Sequence, residues 1–134
     1  MSNEHNAKYL LVGGYAVNYY GYVRPTGDMD IWIPFERENA EKIVQALKEF
    51  GFDSTDLTPE LFLKPKSIIR MGVPPMRLEV SNYIDGVEFD DCYEESELLK
   101  LDDLNIKLIS LKHLKINKKA SGRLKDLNDL EHLP

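Results

Sequence analysis

The sequence predicts an α+β fold in which a small β-sheet packs against helices, and three observations carry that prediction. Tyr9-Leu10-Leu11-Val12 is a short apolar run that ends abruptly at Gly13-Gly14, as a buried strand entering a tight turn does. Met76-Arg77-Leu78-Glu79-Val80 alternates apolar and charged residues, the pattern of a strand with one face on a core. Ala40, Ile43, Val44, Leu47 and Phe50 recur at helical spacing up to Gly51, which predicts a helix with a glycine cap.

The remaining elements follow in order. Tyr15 to Tyr20 predict a short helix ending near Gly21, and Arg24-Pro25-Thr26-Gly27 a loop, since the residue before proline resists helix. The next strand is Asp28 to Ile33, stopped by Pro34. Pro59 to Leu63 predict one helical turn, Ser67 to Arg70 a strand, Gly72 to Pro75 a turn, and Asp85-Gly86 a further turn before the acidic segment Glu88 to Glu97. Two short strands are expected at Leu98 to Leu101 and Asn105 to Leu108. Ser110 suits the N-cap of a helix from Leu111 to Lys119, with Leu111, Leu114 and Ile116 expected inward. A last helix from Arg123 carries Leu124, Leu127, Leu130 and Leu133, a narrow apolar stripe expected on the core.

At 134 residues, 43% hydrophobic and 30% charged, the chain suits one domain over residues 1–134 with a single core. No apolar run approaches the roughly 20 residues that cross a bilayer, and the N-terminus lacks a signal-peptide layout. A cytoplasmic protein without membrane association is expected. The lone Cys92 cannot form an internal disulfide and reads as a small buried hydrophobe. His5, His113 and His132 are scattered and read as surface or locally hydrogen-bonded groups.

A net charge of −6 argues against generic DNA binding. Between residues 104 and 125, however, stand Lys107, Lys112, Lys115, Lys118, Lys119, Arg123 and Lys125 with no acid. Such a run serves as a solvated helix face or, opposite an acidic metal site, as a polyphosphate holder.

Side chains alternate along a strand, so Asp28 and Asp30 project from one face. Converging carboxylates are costly unless a cation neutralises them, and hard oxygen donors suit magnesium with a phosphate substrate. An isolated Asp-x-Asp also serves as two solvent-facing acids. Gly13-Gly14 between strand and helix lets backbone N–H groups approach an anion, or simply makes a tight turn. Glu79 is a third acid, with Arg77 on its face; it suits the site or an exposed pair with that base.

Val12-Gly13-Gly14, an interval of 13 residues, then Asp28-Met29-Asp30 resembles the active-site signature of the DNA polymerase beta-like nucleotidyltransferase superfamily. The stretches Gly13 to Val17, Arg24 to Ile31 and Asn117 to Leu130 look like small bacterial nucleotidyltransferase-like proteins, related to minimal nucleotidyltransferases and to antitoxins of type IV toxin-antitoxin pairs. The resemblance implies a nucleotidyltransferase fold with a small mixed sheet. It implies that Asp28 and Asp30 bind two Mg2+ ions, that Gly13 and Gly14 contact the triphosphate, and that Arg24, Lys118, Arg123 and Lys125 neutralise phosphate. Glu79 would take the place of the third carboxylate, where the family more usually has aspartate.

The activity implied is transfer of a nucleoside monophosphate, AMP from ATP, to a hydroxyl on a protein, tRNA or small molecule. The alternative is an antitoxin-like module that neutralises a companion toxin by contact, with weak or no catalysis. Relatives generally carry a complete helix before the first strand, whereas Asn3 to Asn6 look like the tail of one. An apolar patch buried by a homodimer or a partner is therefore expected.

Overall fold

The computed structural model describes residues 6–52, 55–72, 77–101 and 104–134. All of the N-terminal helix tail but Asn6, most of the Gly72 to Pro75 turn and the first residue of the Met76 strand lie outside them. In chain order the elements are β1 (Leu10–Val12), α1 (Gly13–Tyr19), β2 (Met29–Trp32), α2 (Arg37–Phe50), a 3-10 turn (Pro59–Phe62), β3 (Ile68–Met71), β4 (Leu78–Ser81), α3 (Phe89–Glu94), β5 (Glu97–Leu101), β6 (Leu104–Leu108), α4 (Leu111–Ser121) and α5 (Leu124–His132).

The strands form one mixed sheet in the order β3-β4-β2-β1-β6-β5. β1 runs antiparallel to β2 and parallel to β6, and β2 runs parallel to β4. The outer pairs β3-β4 and β5-β6 are antiparallel. Among the described residues no helix is long and apolar enough to cross a membrane.

The pleat of β2 and β4 divides core from cleft. Ile31, Ile33, Leu78 and Val80 bury against Ala40, Ile43, Val44 and Leu47 of α2, so the helical stripe read from the sequence is the one that packs. Phe50, at the end of that stripe, is half exposed and stacks on Phe52 instead. The alternate residues of β2 and β4, Asp30, Glu79 and Ser81, line an open cleft. Gly51 takes the left-handed cap with φ 120°.

On the other side of the molecule, Ala16 and Val17 of α1, Trp32, Phe89, Cys92, Leu108 and Leu114 share a second cluster. Cys92 is fully buried, as its apolar reading requires, and burial pushes its thiol up to about 12. Ser110 caps α4, its Oγ accepting from the His113 backbone N–H at 3.2 Å.

The acidic segment after Gly86 contains a helix, α3, because Phe89 and Cys92 at i and i+3 give it a buried side. Two expectations are corrected. Ile116 is 42% exposed and does not face inward. The apolar stripe of α5 does not pack as a stripe: Leu124 is 88% exposed and Leu127 43%. The inward face consists of Asp126, Asp129 and Leu133, with Leu130 partly buried, a set at i, i+3, i+4 and i+7.

Candidate functional site

The cleft has a volume of about 820 Å3 and gathers Gly13, Gly14, Arg24, Asp28, Asp30, Glu79, Lys118, Arg123 and Lys125 along its walls. All nine sequence-derived site residues therefore meet in one place. β2 and β4 bring the acids together through register, since Asp30 stands opposite Glu79 in the parallel pair. On its other side Asp30 stands opposite Val12, the residue before Gly13.

Gly13 has φ +67°, and a Cβ there would run into the Asp30 carboxylate. A Cβ on Gly14 would run into Thr26 Oγ1. Gly13 thus serves twice, permitting a left-handed turn and making room for the acid beside it, while Gly14 makes room for Thr26. Gly13→Ala is expected to lower stability by about 2 kcal/mol from backbone strain and the displaced carboxylate. A denaturant titration checks this, and an unchanged midpoint would contradict the packing described.

Asp30 is the most perturbed acid of the cleft. Burial first, then the charge of Glu79, push its carboxyl up to about 6; Asp28 adds to this, while Lys125 and Lys118 oppose it. The other two acids are held by arginines. Glu79 Oε2 accepts from Arg70 Nε at 3.0 Å, and Arg77 Nε lies 3.3 Å from Asp28 Oδ1. The expected pairing of Glu79 with Arg77 is therefore replaced. Arg70 on the neighbouring strand stands directly opposite Glu79 in register, whereas Arg77 lies two residues earlier in the chain, just before β4.

Across the cleft lies an ion-pair cluster that sequence reading missed. Arg24 meets Asp129 in a two-pronged bond, Nε to Oδ1 at 2.7 Å and Nη2 to Oδ2 at 2.8 Å. Buried Lys118 reaches Asp129 at 3.0 Å and Asp126 at 3.2 Å. Asp126 also accepts from Arg123 Nε at 2.7 Å and Ser121 Oγ at 2.8 Å. Burial pushes the Asp126 carboxyl up, but the hydrogen bonds from Arg123 and Ser121 and the Lys118 charge outweigh it and hold it at about 2. Three cations thus face two carboxylates, leaving a net positive wall opposite the acids. Lys125 is exposed and makes no ion pair among the described residues.

The rest of the basic run points elsewhere. Lys107 lies over the Tyr93 ring, Lys112 meets Glu95, and Lys115 donates to the Pro134 carbonyl. The signal for the cluster was available as Asp126-x-x-Asp129, two acids three residues apart on a helix. It competes with the leucine stripe, and periodicity cannot choose between them.

Among the described residues no three carboxylate, histidine or cysteine side chains already form a ligand set. The fit to magnesium rests on donor chemistry. Asp28, Asp30 and Glu79 offer hard oxygens to one cleft, and a bound cation would offset both the burial and the like charge that raise Asp30.

No family model and no curated protein matches the chain. Among solved structures, a Thermotoga maritima protein with a provisional nucleotidyltransferase assignment is similar in fold, with a TM-score of 0.59 at 17% identity. The match covers 92% of this chain and 80% of that one. The expected α+β, nucleotidyltransferase-like fold is therefore the fold of this protein.

Proposed function

We propose that this protein is a magnesium-dependent nucleotidyltransferase that moves a nucleoside monophosphate, AMP from ATP, to a hydroxyl acceptor. The observation that carries the reading is the placement of Asp28, Asp30 and Glu79 in one cleft, with the Gly13-Gly14 turn touching Asp30. Asp28, Asp30 and Glu79 would hold the magnesium, which when bound supplies positive charge against the phosphates.

The chain's own residues account for the rest. The open backbone at Gly13-Gly14 receives the triphosphate. Lys125, and the net positive wall of Arg24, Lys118 and Arg123, balance charge on the leaving pyrophosphate. An acceptor hydroxyl attacks the α-phosphorus, the bond between α-phosphorus and bridging oxygen breaks, and pyrophosphate departs. Glu79 Oε1, the oxygen not engaged by Arg70, takes the hydroxyl proton.

A second reading has a specific observation in its favour. Asp28 and Glu79 are already neutralised by Arg77 and Arg70, as suits an antitoxin-like binding module that keeps the fold with weak or no catalysis. Two measurements separate them. Calorimetric titration with magnesium and ATP is expected to show binding, and α-labelled ATP is expected to label a companion protein or tRNA. A stable complex with a companion, without label transfer or ATP binding, would overturn the transferase reading.

A further inference from the structure

The cleft extends past the acids onto the β3 edge of the sheet, where Glu79 is the one residue that the proposed nucleotide site already uses. Lys66, Ile68 and Arg70 of the β3 segment, and Glu79, Ser81 and Tyr83 of the β4 segment, are alternate residues, and all six line the cleft. Register sets Ile68 opposite Ser81 and Arg70 opposite Glu79. The Lys66 ammonium lies 4.7 Å from the centre of the Tyr83 ring, which remains 41% exposed.

This end of the cleft is held in place by a buried amide. Asn82 Nδ2 donates to the Phe62 and Lys64 carbonyls at 2.9 and 2.8 Å, and its Oδ1 accepts from the Ser67 backbone N–H at 2.9 Å. The segment bearing Lys66 is thereby pinned to β4. Lys66 itself has φ 51°, the left-handed region that lysine rarely takes.

We infer that this platform is the acceptor subsite and that it takes a nucleotide terminus: a planar base for Tyr83, a phosphate for Lys66, and a ribose hydroxyl directed at Glu79. The inference rests on the transferase reading for its geometry. Displacement at phosphorus sets attacking and leaving oxygens roughly in line. The Gly13-Gly14 turn follows β1, on one side of β2, while β4 and β3 lie on the other. Pyrophosphate leaving toward the glycines requires the acceptor to enter from the β3-β4 side. Exposed cations beside an aromatic ring are how proteins hold single nucleotides and strand ends. With Arg70 engaged by Glu79, Lys66 can neutralise about one phosphate, so a terminus fits and a long strand does not.

The test reads binding directly, on the full chain with magnesium and a non-hydrolysable ATP analogue. A short fluorescent single-stranded RNA with a free 3′-hydroxyl is one probe, and AMP is the other. Tyr83→Ala and Lys66→Ala are each expected to weaken acceptor binding by about fivefold or more, with Tyr83→Phe close to wild type and affinity for the ATP analogue unchanged. Loss in the RNA arm identifies a strand end as the source; loss in the AMP arm alone identifies a free nucleotide. If neither probe binds, or the alanine variants bind as wild type, the subsite is overturned. If RNA binds through Tyr83 while the ATP analogue does not bind at all, the transferase reading fails and the nucleotide platform stands.

Discussion

Asp30→Asn is expected to reduce nucleotide transfer by about 10³-fold or more, equivalent to about 4 kcal/mol of barrier, without lowering the melting temperature. The two halves of this expectation have one cause. Asp30 sits in a partly buried position beside Glu79 and Asp28, so its ionised form is disfavoured by burial and by like charge. Asparagine keeps the shape and removes the charge. The protein without divalent cation should therefore melt at the same temperature or a few degrees higher, as expected when a functional group is held against the interest of stability. Magnesium and ATP together are expected to raise the melting temperature of the wild type and not of the variant. Transfer from α-labelled ATP and a pair of thermal melts check both halves. Full activity in Asp30→Asn would remove Asp30 from the metal site, and a large fall in melting temperature would show that the carboxylate serves the fold.

Asp126→Ala is expected to have the opposite profile, a loss of about 3 kcal/mol of stability because buried Lys118 loses one of its two counter-charges. Lys118 ties α4 to α5, while Arg24 ties the loop before β2 to α5 through Asp129. The cluster therefore fixes the wall of the cleft as well as the helix. Asp126→Ala combined with Lys118→Met is expected to cost less than the sum of the two single changes, because the second removes the charge that the first left unpaired. Denaturant titrations of the three variants measure that coupling, and strict additivity would show that the contact contributes nothing.

The same carboxylate is expected to contribute to the acid sensitivity of the fold, as is Asp129, which burial raises but Arg24 and Lys118 hold below its ordinary value. The folded pKa of Asp126, about 2, lies below its ordinary value of 3.8. The stabilisation is thus fully present above about pH 4 and is lost as pH falls through about 2. Stability measured across that window should decline in the wild type and decline less steeply in Asp126→Ala. Parallel curves would place the acid-sensitive group elsewhere.

The sequence by itself determined the elements with one-sided patterning and the residues that local chemistry singles out. The alternation through Leu78 and Val80, the helical spacing from Ala40 to Leu47, and the Ser110 cap each follow from interactions within a few residues. The same holds for Asp28 and Asp30, two residues apart, and for the glycines that precede α1. Their meeting in one cleft with Glu79, Arg24 and the lysines was expected only from resemblance, because strand order and register join residues distant in the chain. Tertiary structure alone decided which arginine serves Glu79, since Arg70 reaches it across the β3-β4 pair. It also chose the face of α5. That helix carries a leucine stripe and an acidic stripe of equal periodicity, and burying Asp126 and Asp129 is tolerable only because Lys118 and Arg24 arrive from other elements, and Arg123 from the helix's own N-cap, to compensate them. Sequence spacing records which residues share a face. Which face turns inward depends on what the rest of the fold sets against it.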